Sequence, residues 1–114
     1  MVRVKPSKRE RKRFLLLQCF VQNTLPKTWG KLFVKEVERV MGLFQASRAG
    51  LKCVEFHRDG YAIIRVSHRH VDEVRKTFPY LTTLDGEKII AVETFSTSGT
   101  LRKIRQRLNT IRRT

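Results

Sequence analysis

Apolar side chains recur along this chain with two different periods, and the changes of period divide it into elements. Residues 14–22 form an almost continuous apolar run of strand length, Phe14-Leu15-Leu16-Leu17 followed by Cys19, Phe20 and Val21, with Gln18 inside it. Such a run predicts a first strand buried on both faces. From Thr24 or Thr28 the period lengthens: Trp29, Leu32, Phe33, Val37, Val40, Met41 and Phe44 return every three or four residues with charges between them. That spacing predicts an amphipathic helix. It is expected to end before Gly50, with residues 45–49 as a frayed tail or connection, because glycine accepts the left-handed backbone of a helix terminus.

Two short runs rich in β-branched and aromatic residues, 51–58 and 61–67, flank Asp59-Gly60, a pair suited to a tight hairpin. Strict alternation places Val54, Phe56, Ile63 and Arg65 on one face of the sheet, and Cys53, Glu55, Ile64 and Val66 on the other. Ser67 or His68 is expected to cap a second helix, with Asp72 and Glu73 at its positive end, Val71, Val74 and Phe78 as its stripe, and Pro79 closing it. After a turn at Asp85-Gly86, residues 88–95 read as the last strand. Residues 96–100 then lead into a third helix, with Leu101, Ile104, Leu108 and Ile111 on one stripe and Arg102, Lys103, Arg105, Arg107 and Arg112 around the rest. This order predicts an α+β fold, a ferredoxin-like or RRM-like sandwich. Two right-handed strand–helix–strand units build an antiparallel four-stranded sheet (βαββαβ), and a basic C-terminal helix is added. The organisation expected is a basic N-terminal arm over 1–13, an RRM-like domain over 14–97, and a basic helix over 98–114 packed on that domain.

Charge changes this picture most. The 114 residues carry a formal net charge of +15, far beyond what solubility needs, which implies an acidic polymer as partner. Residues 1–13 hold Arg3, Lys5, Lys8, Arg9, Arg11, Lys12 and Arg13 against Glu10, and residues 98–114 hold six basic side chains and no acid. The segment between is close to an ordinary mixed surface. Phosphate neutralisation releases condensed counterions and dominates nucleic-acid affinity, so the two ends are the first candidates for binding. Neither the short run 14–22 nor any other is long enough to span a membrane, and no cleavable-signal pattern follows that run, so no membrane role is expected. Cys19 and Cys53 lie in strand-like stretches and read as reduced core thiols of a cytoplasmic protein.

Candidate chemistry is sparse. Ser98, Gly99 and Thr100 open a helix whose first N–H groups could hold a phosphate, although ordinary capping explains the same residues. Gly60-Tyr61-Ala62-Ile63-Ile64-Arg65-Val66 partly matches the RRM stacking motif, but Asp59 stands where a basic residue is usual and Ile63 where a second aromatic is. Strand packing is the better account, leaving Tyr61 as a lone stacker otherwise. His68, Arg69, His70 and Asp72 cluster without supplying a four-ligand zinc site, and Glu36 and Glu38 point to different sides of a helix. No nucleophile motif or Gly-rich nucleotide loop is visible.

Three segments carry a family resemblance: Pro6-Ser7-Lys8-Arg9-Glu10-Arg11-Lys12-Arg13-Phe14 before the first strand, Val71-Asp72-Glu73-Val74-Arg75 on the second helix, and, most specifically, Ser96-Thr97-Ser98-Gly99-Thr100-Leu101 entering the basic helix. Together with the strand order they cover nearly the whole chain, which resembles the archaeal-type ribonuclease P protein component 2 family. The resemblance implies a non-catalytic subunit of ribonuclease P. In that family the RNA removes the 5′ leader of precursor tRNA with magnesium, so Mg2+ is expected on the RNA, with no cofactor and no active site in this chain. It also implies ribonuclease P RNA and precursor tRNA as partners, with other ribonuclease P proteins, among them protein component 3 in a heterotetramer of two copies each. The residues expected to contact RNA are Lys8, Arg9, Arg11, Lys12, Arg13, Ser98, Gly99, Thr100, Arg102, Lys103, Arg105, Arg107, Arg112 and Arg113, while apolar helix faces bind protein. Two other readings exist: a small nuclease using His57, His68 or His70, and a ribosomal or architectural nucleic-acid-binding protein of the same fold.

Overall fold

Leu15, Leu16 and Leu17 are all fully buried, which requires their strand to lie at the centre of a sheet with helices on both faces. The computed structural model describes residues 11–113 and shows that arrangement. Its elements are β1 (Lys12–Val21), α1 (Trp29–Met41), α2 (Leu43–Ala49), β2 (Lys52–Phe56), β3 (Tyr61–Ser67), α3 (Val71–Thr77), β4 (Thr83–Leu84), β5 (Glu87–Ser98) and α4 (Leu101–Arg113). The strands order β2-β3-β1-β5-β4, each pair antiparallel. β1 takes in Lys12 and Arg13.

Alternation along β1 divides the interior. Leu15, Leu17 and Cys19 join Trp29, Phe33, Val37, Val74 and Phe78 in the larger core beneath α1, α2 and α3. Leu16 turns to the opposite face and meets Ile63, Ile104 and Leu108 beneath α4, flanked by Phe14, Val54, Tyr61, Phe95, Leu101 and Ile111. The stripe predicted for the last helix is therefore its buried face. Burial pushes the Cys19 thiol up to about 12. It also pushes Cys53 up, to about 11, with the Glu55 charge adding to the effect. Both sulfurs are free.

Four local expectations are corrected. The sheet has five strands rather than four, because Asp85 and Gly86 both take positive φ (50° and 82°) and fold Thr83–Leu84 back onto Glu87 and Lys88. Positive φ at both central positions is the geometry of a two-residue hairpin. The first long helix is two helices, since Gly42 adopts φ 89° and ψ 152° between Met41 and Leu43, a conformation no helix continues through. On β2 a bulge between Cys53 and Glu55 reverses the alternation. Glu55 then pairs with Ile63 on the α4 side and Phe56 with Ala62 on the other, opposite to the expected faces. Finally, neither Ser67 nor His68 caps α3. A 3-10 turn over His68–His70 leads into that helix, and no side chain bonds its first N–H groups.

The hairpin between β2 and β3 closes with the Gly60 N–H donating to the His57 carbonyl (3.1 Å) and the His57 N–H to the Tyr61 carbonyl (2.9 Å). Only Gly60 has positive φ there. α1 lies close against β2: a Cβ at Gly30 would stand 2.4 Å from Phe56 Cδ1 and 2.6 Å from Cys53 Sγ. Trp29, beside it, meets Phe56 edge-on at 5.8 Å and donates its indole Nε1–H to the His57 carbonyl at 2.8 Å.

Candidate nucleic-acid interface

Antiparallel pairing decides which charges meet. β1 begins where β3 ends, where β2 begins and where β5 ends: Lys12 pairs with Ser67, Arg13 with Val66, Phe14 with both Arg65 and Ser98, and Lys52 with Arg65. α2 also ends here, and the Lys12 ammonium reaches within 3.1 Å of where a Gly50 Cβ would be. The turn His68–His70 continues β3, and α4 starts two residues beyond β5. One end of the sheet therefore gathers Arg11, Lys12, Arg13, Arg48, Lys52, Arg65, Arg69, Arg102 and Lys103. Among the described residues, Asp72 and Glu73 of α3 are the acids near this end.

The corner at Ser98, Gly99 and Thr100 is built around this charge. The Thr100 N–H donates to Ser98 Oγ (3.2 Å) and the Lys103 N–H to Thr100 Oγ1 (3.4 Å), so Thr100, not Ser98, takes the capping position. A Cβ at Gly99 would lie 2.6 Å from the Arg13 guanidinium. Glycine here lets Arg13 lie against the entrance of α4. On the other side of the same end, Ser47, Arg48, Arg69, His70 and Glu73 line an open groove of about 560 Å³. His68 is tethered to the strand start, its backbone N–H donating to the Arg11 carbonyl at 2.9 Å.

Buried polar side-chain atoms normally find partners, and those that do not call for a reason. Among the described residues, Arg65 Nε, Ser67 Oγ and His70 Nδ1 are buried without one, and all three sit at this end. The clustered cations raise the positive potential of this end, which favours an anionic partner, while the three unpartnered atoms are enclosed.

Of the residues expected from sequence, Lys8 and Arg9 lie outside the described residues. Arg11, Lys12, Arg13, Ser98, Gly99, Thr100, Arg102 and Lys103 are brought together. The remaining four run down α4 toward the hairpin. There Arg105 Nε bonds Glu55 Oε1 (2.8 Å) and Arg112 pairs with Asp59 (2.9 Å), its guanidinium 5.8 Å from the centre of the Tyr61 ring. These two arginines clamp α4 onto the sheet, each exposed pair contributing ~0.2–1 kcal/mol. Arg107 and Arg113 are exposed. Arg48, Lys52, Arg65 and Arg69 escaped sequence reasoning because none belongs to a local run of charge; only strand order brings them to the site.

The sheet face that an RRM uses for base stacking is occupied. Tyr61 packs on Phe95 at 5.6 Å under Arg112, with Ile104 and Leu108 of α4 buried beside them, so strand and helix packing accounts for the partial motif. Burial raises the Glu55 carboxyl, but hydrogen bonds from His57 and Arg105 outweigh it and hold the group below the ordinary carboxylate value. His57 bonds that carboxylate at 2.7 Å, at the opposite end of the sheet from His68 and His70, so the three histidines do not form one acid–base site. No helix among the described residues is long and apolar enough to cross a membrane.

The protein is a small α+β module with a core on each face of one antiparallel sheet and a cluster of cations at one end of that sheet. The model of the Rpp14/Pop5 family matches residues 13–109, and the chain belongs to that family. Ribonuclease P protein component 2 of Thermococcus kodakarensis is 27% identical over 104 residues, covering 90% of this chain and 86% of that protein. A chain in the cryo-EM structure of yeast ribonuclease MRP shares the fold, with a TM-score of 0.60, 12% identity, and coverage of 93% of this chain and 97% of that one.

Proposed function

We propose that this protein is a non-catalytic subunit of ribonuclease P, binding and stabilising the catalytic RNA that removes the 5′ leader from precursor tRNA. The observation that carries the reading is the convergence of Arg11, Lys12, Arg13, Lys52, Arg69, Arg102 and Lys103 at one end of the sheet, in a chain of the Rpp14/Pop5 family. Cations held on a rigid frame offset phosphate repulsion, so RNA helices can approach one another at lower magnesium. The Mg2+ that serves hydrolysis belongs to the RNA in this reading. Protein component 3 is the expected protein partner, in a heterotetramer of two copies each. Leu43 and Phe44 on α2, respectively 90% and 69% exposed, are an apolar surface suited to protein contact. Unpaired thiols suit a cytoplasmic setting.

Reconstitution tests the proposal. Ribonuclease P RNA assembled with its protein set should cleave precursor tRNA at lower magnesium with this chain than without it, and the chain alone should not cleave. An equal magnesium requirement with and without the chain, or cleavage by the protein alone, would overturn it.

A further inference from the structure

A second cavity, of about 580 Å³, lies at the opposite end of the molecule from the gathered cations, between the segment before α1 and the β2–β3 hairpin. Leu25, Pro26 and Phe56 give it an apolar wall, and Lys27, His57 and Arg58 stand around it. Among the described residues, no acidic side chain lines it. Lys27 and Arg58 are exposed and make no ion pair or side-chain hydrogen bond among the described residues. Beside them α1 begins without a capping side chain at Thr28 and without an acid in its first turn, leaving the positive end of its dipole uncompensated. The hairpin wall is held in place: the His57 carbonyl accepts the Trp29 indole N–H, the His57 ring is fixed by Glu55, and Phe56 is braced edge-on by Trp29.

We infer that this cavity binds one unpaired nucleotide of RNA, its base against Phe56, Leu25 and Pro26 and its phosphate between Lys27 and Arg58. An apolar wall beside two cations that make no ion pair among the described residues fits a ligand that is apolar at one end and anionic at the other. A nucleotide is such a ligand, and base–aromatic stacking tolerates any base. RNA as the source rests on the function proposed above. α4 covers the Tyr61–Phe95 face, whereas Phe56 borders this cavity beside Lys27 and Arg58.

Trp29 is the one tryptophan in the chain, and its indole N–H is hydrogen-bonded to the cavity wall, so its single indole resonance in a nitrogen–proton correlation spectrum reports occupancy directly. Titrating the full chain with hexauridylate and hexaadenylate RNA should shift that resonance saturably. Lys27→Gln with Arg58→Gln should weaken the titration about tenfold, since both side chains would meet phosphate. Both are exposed and unpaired, so the variant should melt as the parent does. Arg102→Gln with Lys103→Gln should leave the indole shift in place while weakening binding of ribonuclease P RNA. The inference is overturned if the indole does not respond, if its response survives in the Lys27/Arg58 variant, or if hexaglutamate shifts it equally, which would assign the cavity to an acidic protein segment. In any of these cases a loss of ribonuclease P RNA binding in the Arg102/Lys103 variant would leave the proposed function standing.

Discussion

Arg102 and Lys103 offer the cleanest separation of binding from folding. Both are exposed on the first turn of α4 and neither pairs with an acid among the described residues, whereas Arg105 and Arg112 help to clamp the helix. Replacing Arg102 and Lys103 by glutamine removes the charge and keeps a shorter polar side chain at each exposed position. If each meets one phosphate, counterion release predicts that the slope of log affinity against log salt becomes less negative by about 2. At about 0.15 M salt the same relation gives about 0.7 powers of ten per contact, so binding should weaken roughly 30-fold, or about 2 kcal/mol. Unfolding stability should change by less than about 0.5 kcal/mol, as for surface substitutions away from packed or paired features. Filter binding to ribonuclease P RNA across a salt series supplies the slope, and urea denaturation supplies the stability. Lys88→Gln, at the far end of β5, is the matched control and should leave the slope unchanged. An equal loss in that control, or an unchanged slope in the double variant, would refute the reasoning that charge acts where the topology focuses it.

Three further outcomes follow from the packing and the ion pairs. Ile104→Ala removes a fully buried side chain from the small core under α4 and should cost about 2–5 kcal/mol in chemical denaturation; a cost below 1 kcal/mol would mean that α4 is not held as described. Gly30→Ala should destabilise by about 1–3 kcal/mol, because the added methyl meets Phe56 and Cys53; neutrality in a thermal melt would contradict the close approach of α1 to β2. The Arg39 hydrogen bond, aided by Thr82 against the opposing effect of burial, holds the Glu36 carboxyl at about 2 instead of 4.5. A depressed carboxylate stabilises the fold above its unfolded value, and that contribution fades as pH falls from about 4.5 to 2, by about 1–2 kcal/mol after discounting for solvent around the exposed Arg39. Glu36→Gln should therefore flatten the stability–pH curve in that window, and a curve parallel to the parent's would remove Glu36 from the account.

The architecture was legible wherever one physical signal dominated. The continuous apolar run through Leu15, Leu16 and Leu17 announced a strand covered on both sides, and the stripe from Leu101 to Ile111 announced the buried face of α4. What escaped reading turned on single residues whose backbone angles were decisive. Gly42 looked like any helix position yet splits α1 from α2, and the Cys53–Glu55 bulge exchanged the faces of Glu55 and Phe56 without a sequence mark. The two-residue β4 was too short for periodicity to register. Half of the candidate site was visible as charge runs near each end of the chain. Arg48, Lys52, Arg65 and Arg69 were not, because each is locally isolated and joins the others only through strand order.

The cations gathered at one end of the sheet, and not the general basicity of the chain, are held to carry the main contact with folded RNA. Lysine acetylation footprinting of the protein with and without ribonuclease P RNA addresses it directly, since lysines occur at both ends of the sheet. Lys12, Lys52 and Lys103 should become protected in the complex, while Lys35 and Lys88 react as in the free protein. Uniform protection of all five, or protection of Lys88 with Lys12, Lys52 and Lys103 still reactive, would contradict the account.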